Sequence, residues 1–388
     1  MEDYFARQNL VLDSETGEKI RTAKILVVGA GAGGNELLKN LALMGFGHFT
    51  IIDYDAVEIS NLSRTTLFSK EDVGKSKSSA AAAALNKLCL HESPTISFVN
   101  EKVQEVGKQV FLENDIVVSC VDTNNGRAYL SDWSVRLRKP FFEMGFDRFV
   151  VQIGFFPNQN VNDACLREII GFGDFSGRRQ SCSRLKISDT ELQHIPTIQV
   201  SSALAGALIA TEIILFLQGR SQLGNKMLQY SAEYHRCSVF DVPRSDQCPR
   251  HQENELWFVE SDLDSSARIR ELLEHTQKLV GEEVFLRLDD EFIDSMDCEG
   301  CRKKLQIGRF MSGVYDKERW CENCLNDGKY EEIPISANWE SFLELNLRNR
   351  KHAAHLDRRL SELFVRTKDL IRVDALQDTK KTYLVKIR

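Results

Sequence analysis

The chain has 388 residues, and 50 Lys and Arg against 57 Asp and Glu give a formal net charge of −7. That length predicts two or three domains, and the mild acidity supplies no general drive toward nucleic acid or membrane, so neither is expected as a partner. Ten cysteines without an N-terminal apolar leader point to a reducing compartment, the cytoplasm, and to metal ligation in place of disulfides.

Residues 1–22 are polar, with Arg7-Gln8 ahead of a short apolar patch, and read as a solvated helix. Residues 25–28 form an apolar run with the character of a buried strand. Gly29, Gly31 and Gly34 follow in G-x-G-x-x-G spacing, then an amphipathic stretch to Met44 and a second strand, 49–52, ending in Asp53. This is the sequence form of a nucleotide-binding βαβ unit. Glycines let the backbone turn and approach phosphate, the next helix offers free N–H groups, and the acid can accept from ribose hydroxyls.

Residues 57–68, VEISNLSRTTLF, form a polar segment holding Asn61 and Arg64. Val73-Gly74-Lys75 leads into an Ala-rich helix, 76–88, and a lysine at a helix start opposes the dipole, which hints at an anion. Strands are predicted at 95–99 and 115–121, the latter followed by Asp122, then a helix at 125–138. Strands at 140–144 and 148–156 are close enough to make a short antiparallel extension. The alternation predicts an α/β fold with a mostly parallel sheet covered by helices on both faces.

The pattern breaks over 157–196, a long Gly-rich segment, basic at Arg178-Arg179, that carries Cys165 and Cys182. A loop of that length is usually functional. An apolar helix over 200–217 reads as buried or as a dimer contact, before a strand at 226–230 and a segment with Cys237, Cys248 and His251. After 252 the character shifts, with a helix at 261–279, a strand at 283–288, a charged amphipathic helix at 339–364 and a closing strand at 381–387. Between them Cys298/Cys301 and Cys321/Cys324 form two Cys-x-x-Cys pairs separated by nineteen residues, the ribbon-like spacing of a closed four-thiolate Zn²⁺ site.

Asp53, Asn61, Arg64, Lys75 and Asp122 together exceed what a dinucleotide dehydrogenase needs. Two cations suit β- and γ-phosphate oxygens, and an aspartate at a strand end suits Mg²⁺, so ATP is favoured over NAD. No Walker lysine motif is present, so the glycine loop is not of the P-loop type.

The run IIDYDAVEISNLSRTTLF with VGKSK and VSCVDT resembles the superfamily of ubiquitin-activating enzymes, and in plan the bacterial ThiF, MoeB and HesA adenylating proteins. The resemblance covers roughly residues 4–250. It implies a Rossmann-like ThiF-type adenylation domain over 1–251 with its crossover loop at 157–196; the zinc-binding module expected at 252–330 and the C-terminal α+β tail at 331–388 lie outside that plan. It implies MgATP-dependent adenylation of the C-terminal glycine of a ubiquitin-like protein. The glycines, Asp53 and Asp55 would hold the nucleoside side, Asn61, Arg64 and Lys75 the phosphates, and Asp122 the Mg²⁺. Arg7, in YFARQ, matches an arginine that reaches the partner subunit's ATP, which implies a homodimer. Thr65 stands where the family usually has Gln, a departure that bears on the polyphosphate geometry.

Members that transfer the modifier carry a thioester-forming cysteine on the crossover segment, which makes Cys182 the expected nucleophile, its thiolate favoured by Arg178, Arg179 and Arg184. A conjugating enzyme would then accept the modifier. The family often has another zinc site; here Cys248 with His251, Cys165 and Cys237 are what remains of it. Two alternatives stay open: a sulfur-carrier adenylase without thioester relay, and a catalytically silent scaffold.

Overall fold

The computed structural model describes residues 4–160, 162–171, 197–251, 255–298, 301–310, 339–363, 365–378 and 381–388. The chain forms two compact units, one built from residues before 253 and the other from residues 253–388 together with Gly107–Gln109.

The first unit is organised on an eight-stranded sheet. Strand β1 (Lys24–Val28) is buried from Ile25 onward and pairs in parallel with β2 (His48–Ile52) on one side and β4 (Ile116–Ser119) on the other. Strands apolar on both faces are what a sheet covered by helices requires. Strand β3 (Thr95–Val99) lies beyond β2, and β5 (Phe141–Asp147) beyond β4, giving the order β3-β2-β1-β4-β5. The order reverses between β1 and β4, and a crevice opens at such a switch point. Helix α2 (Ala32–Leu43) returns the chain from β1 to β2 and buries Leu37, Leu38, Leu41 and Ala42 in the main core.

Beyond β5 the sheet turns antiparallel, through β6 (Val150–Phe156), β7 (Lys226–Ser231) and β8 (Arg236–Asp241). The β5–β6 hairpin meets the expectation of an antiparallel extension. The edge strand β8, exposed along its length, lacks an apolar alternation and is invisible to a burial-based reading. Helix α7 (Gln199–Leu217) has the length and apolarity of a membrane span. Its Ala205, Ile209, Ala210 and Ile213 belong to the main core, as expected of a buried helix.

The second unit centres on a six-stranded sheet in which five strands run in the order β11-β10-β13-β14-β9 and a sixth pairs with β10 off that path. The long β10 (Val284–Asp297) pairs with β13 (Leu370–Ala375) near its start and β11 (Lys304–Phe310) near its end. Strand β14 (Lys381–Lys386) pairs with β13 and, in parallel, with β9 (Glu255–Glu260). Helix α8 (Ile269–Val280) buries Ile269, Leu272, Leu273 and Thr276 at helical spacing and stops at Gly281, φ +75°. It starts later than the expected 261, because Asp264 caps a turn by accepting from Ser266 N at 2.7 Å.

The expected helix over 339–364 is overturned. Residues Trp339–Asn346 are a strand, β12, paired antiparallel with β10. Phe342 sits 5.2 Å, centroid to centroid, from Phe292 of β10, and Leu345 is fully buried. Packing against a neighbouring strand outweighs the helical charge pattern of this stretch. The helical remainder is short: α9 spans only Ala353–Leu356.

Candidate active site

Three neighbouring parallel strands deliver their carboxyl ends to one place. Gly29 N donates to Ile52 O of β2 at 2.8 Å, and Cys120 N donates to Val28 O of β1 at 2.7 Å. The turn after β1, Asp53 after β2 and Asp122 after β4 are therefore side by side at the switch point. Asp122 is exposed there.

The glycines divide their duties. Gly29 has φ +97°, and a Cβ on it would meet Cys120 O at 2.5 Å, so both conformation and space exclude other residues. A Cβ on Gly34 would lie 2.0 Å from Gly29 O, so this glycine lets α2 close onto the turn. Gly31, at the N-cap of α2, faces open space, which leaves the helix N-terminus accessible to an anion.

Asp53 braces that turn. Its Oδ2 accepts from Ala30 N at 2.6 Å and its Oδ1 from Asp55 N at 2.8 Å. Burial pushes its carboxyl above the usual range, against the pull of those two N–H groups and of Lys77. A carboxylate has lone pairs beyond those two bonds, so it can still accept from a hydroxyl.

Asn61 is buried, its Oδ1 accepting from Glu58 N at 2.9 Å. Arg64, one turn on, donates from Nη1 to Ser60 O at 2.9 Å and is half-buried. Thr65 donates to Asn61 O at 3.0 Å, an internal bond that keeps it within the turn. Gly74 N and Val57 N exchange bonds with Val57 O and Lys75 O, both at 2.8 Å, so this polar segment is laced to the start of α3 (Lys77–Leu88).

Of the two lysines at that start, the structure sets Lys77 beside the aspartates. Its Nζ donates to Asp55 Oδ2 at 2.8 Å and its side chain is 13 % exposed. Lys75, 58 % exposed, pairs with Asp72 instead at 3.0 Å. The sequence reading passed over Lys77. Ser76 was the available signal: its side chain accepts from Ser79 N as an N-cap, so Lys77 is the first residue of α3.

Arg7 does not join the others within one chain. The N-terminal segment is fastened by Gln8 Nε2 donating to Met44 O at 2.9 Å, at the C-terminal end of α2. A twelve-residue helix is about 18 Å long, so this is the end remote from the glycine turn. Leu10 and Val11, beside Arg7, are 86 % and 79 % exposed. Cys182, with Arg178, Arg179 and Arg184, lies outside the described residues.

Two cysteine-bearing places bear on metal. Cys298 and Cys301 lie between β10 and β11, where Cys298 N donates to Lys303 O at 3.0 Å and Arg302 has φ +55°. Cys321 and Cys324 lie outside the described residues. In the first unit, the donor atoms of Cys165, Glu168, Cys248 and His251 all fall within 4.8 Å of one another. The two sulfurs are 3.8 Å apart, and their contact together with burial pushes the Cys165 thiol up. His251 Nε2 is buried and has no hydrogen-bond partner among the described residues, a costly state that a metal ion would relieve. The donor set therefore fits a metal. Cys237 is exposed on β8 and takes no part; Glu168, which the sequence reading missed, stands in the fourth place. Its signal was the repeated Cys-x-x spacing, Cys165 to Glu168 and Cys248 to His251.

The chain's likeness to known proteins follows this division. Residues 5–250 match the model of the ThiF family. The SUMO-activating enzyme subunit 2 of Dictyostelium discoideum is 37% identical over 142 residues, 37% of this chain and 22% of that protein. The adenylyltransferase and sulfurtransferase UBA4 of Kluyveromyces lactis is 36% identical over 160 residues, 40% of this chain and 36% of that protein. The chain thus spans well under half the length of either relative. Among solved structures, Escherichia coli MccB with ATP superposes with a TM-score of 0.53 at 22% identity, over 64% of this chain and 75% of that one, a likeness of fold. With the family model covering more than half of its length, the chain belongs to the ThiF family.

Proposed function

We propose that this protein adenylates the C-terminal glycine of a ubiquitin-like protein with MgATP, captures the modifier as a thioester on Cys182 and passes it to a conjugating enzyme. The single observation that carries the adenylation step is the meeting of the Gly29 turn, Asp53 and Asp122 at the β1/β4 switch point, with Lys77 beside Asp53.

In this reading Gly31 and the first N–H groups of α2 receive phosphate, and Asp53 accepts from ribose. Arg64 and Lys77 neutralise the polyphosphate, a role the sequence alone gave to Lys75. Asp122 is the residue that would hold Mg²⁺, and bound Mg²⁺ supplies charge neutralisation to the phosphate oxygens. The substrate carboxylate oxygen attacks the α-phosphorus, the bond from that phosphorus to the β-bridging oxygen breaks, and pyrophosphate leaves with the electron pair. No general base is needed, because the nucleophile is already ionised; the chain contributes position and charge. The Cys182 thiolate then attacks the acyl carbon and AMP departs.

Arg7 would act on the partner copy's ATP in a homodimer, with Leu10 and Val11 supplying apolar surface to cover. Zn²⁺ would be held by Cys298, Cys301, Cys321 and Cys324, and by Cys165, Glu168, Cys248 and His251, as a structural ion in both places. A reducing compartment, the cytoplasm, keeps those thiolates available.

The test is ATP–pyrophosphate exchange in the presence of a ubiquitin-fold protein ending in glycine, followed by gel analysis without and with thiol. The expected result is exchange together with a thiol-labile adduct that Cys182→Ala abolishes while exchange persists. An adduct that survives Cys182→Ala sinks the cysteine assignment, and no exchange with any such protein sinks the adenylation. The similarity to a protein named for adenylyl and sulfur transfer keeps a second reading in view. A thiocarboxylated carrier with no enzyme-linked modifier would select it.

A further inference from the structure

One carboxylate is paired with an arginine from each of the two cysteine-bearing turns. Asp132 lies on α5 (Asn124–Arg136), the helix that starts two residues after Asp122. Arg167 donates from Nε to Asp132 Oδ1 at 3.1 Å, and Arg250 Nε lies 2.9 Å from Asp132 Oδ2. Each arginine is the third residue of a Cys-x-x turn: Arg167 stands between Cys165 and Glu168, and Arg250 between Cys248 and His251. The same carboxylate thus orients two chain segments that lie 83 residues apart at their cysteines.

Each turn is closed by its own backbone as well. Glu168 N donates to Cys165 O at 3.2 Å and His251 N to Cys248 O at 3.3 Å. Glu168 Oε2 accepts from Cys165 N at 2.8 Å, so the carboxylate is held within its turn. Between the turns Glu168 Oε1 lies 3.4 Å from His251 Nδ1 and accepts from Ser245 N at 3.5 Å, and Asp132 adds a second span through the two arginines. At its other end α5 is fixed by Thr123, whose Oγ1 accepts from Gly126 N at 3.3 Å directly after Asp122. A Cβ on Gly126 would meet Thr123 Oγ1 at 3.0 Å, so the helix start is tightly folded onto that cap.

We propose that Asp132 is the positioning residue that joins the Cys165–Glu168–Cys248–His251 metal cluster to the nucleotide site. It brings the two turns together around the ion and, through α5, ties the cluster to the loop carrying Asp122. This rests on the metal reading for its first half and on the adenylation reading for its second.

The experiment uses the full-length protein with Cys165→Ser, Asp132→Ala and Asp132→Asn. Cys165→Ser identifies the metal equivalent that belongs to this cluster, by its loss from the purified protein. Release of that equivalent to a colorimetric chelator is then timed. Partners behind metal ligands typically change affinity about 10–100-fold when removed. Asp132 acts through the arginines beside the ligands, so Asp132→Ala should release the ion faster by about 10-fold, the lower end of that range. Asp132→Asn, which keeps the shape and loses the charge, should fall between and guards against a failure to fold. The Mg²⁺ concentration for half-maximal pyrophosphate exchange should rise several-fold in the same variants. Release at the wild-type rate in both variants overturns the positioning role. Faster release with an unchanged Mg²⁺ requirement overturns the link to the nucleotide site. Unchanged metal content in Cys165→Ser fails the metal reading itself, a result that leaves the exchange reaction standing.

Discussion

Lys77 Nζ reaches Asp55 Oδ2 at 2.8 Å across the space between the start of α3 and the loop after β2. The pair keeps a cation at the edge of the site, and Lys77 is close enough to pull on the Asp53 carboxyl as well. Removing a charge that acts on a developing transition state costs about 10²–10³ in rate. Lys77→Ala should lower pyrophosphate exchange by that factor, and Lys75→Ala, whose partner is Asp72 at the surface, by only a few-fold. Steady-state exchange on the two variants decides between them. A larger loss from Lys75→Ala would restore the assignment made from sequence.

Arg7 leads to a prediction about pairs of chains. Its segment is held at the remote end of α2, so under the homodimer proposal its contribution to chemistry comes through a second copy. Arg7→Ala and Asp122→Ala homodimers should each be nearly inactive. In a C₂ dimer, unfolding and refolding the two together rebuilds an intact site in mixed dimers, about a quarter of all sites. Exchange activity near that fraction is expected on mixing, and no recovery would place Arg7 outside the site.

The sequence carried the central part of this architecture because apolar β1, the glycine spacing and Asp53 are local signals that a parallel sheet needs in that order. The aspartates and Arg64 were legible for the same reason: they follow strand ends or lie in short turns. Lys77 was missed because choosing between two lysines flanking Ser76 depends on which one a capped helix turns inward. Glu168 was missed because a carboxylate in a candidate metal-donor cluster is visible only when Cys248 and His251, from elsewhere in the chain, come to meet it. Strand β12 was misread since its charge spacing fits a helix, and its pairing with β10, with Phe342 against Phe292, reveals the strand.

Gly34 and Gly31 should separate stability from binding. A methyl group on Gly34 would press into the Gly29 carbonyl at 2.0 Å, and overpacking of this kind costs about 1–3 kcal/mol. Gly31 meets nothing within 4 Å, so Gly31→Ala should leave the unfolding midpoint close to wild type while crowding the phosphate side of the turn. Denaturant unfolding should show the loss for Gly34→Ala alone, and ATP titration should show the weaker binding for Gly31→Ala. Equal midpoints for the two would contradict the packing role of Gly34.

Asp72 gives the site's rim a dependence on pH. Its Oδ2 accepts from Ser69 Oγ at 2.7 Å and Ser69 N at 2.9 Å, and its Oδ1 from Lys75 at 3.0 Å. Those bonds, the serine's first, hold its carboxyl down at about 2 against an ordinary 3.8. A carboxyl lowered by folding contributes stability that is fully present above the unfolded value and is lost as pH falls toward the folded one. Asp53 works in the opposite sense, since its carboxyl is raised by burial, so whole-protein acid unfolding mixes the two. The comparison of wild type with Asp72→Asn cancels Asp53. The variant should be less stable near neutral pH, and the gap should narrow as pH falls from 3.8 toward about 2, where wild-type Asp72 is itself becoming neutral. Denaturant midpoints across that range measure it. A gap that stays constant with pH would mean that the shape of the turn, and not the charge of Asp72, holds Lys75 in place.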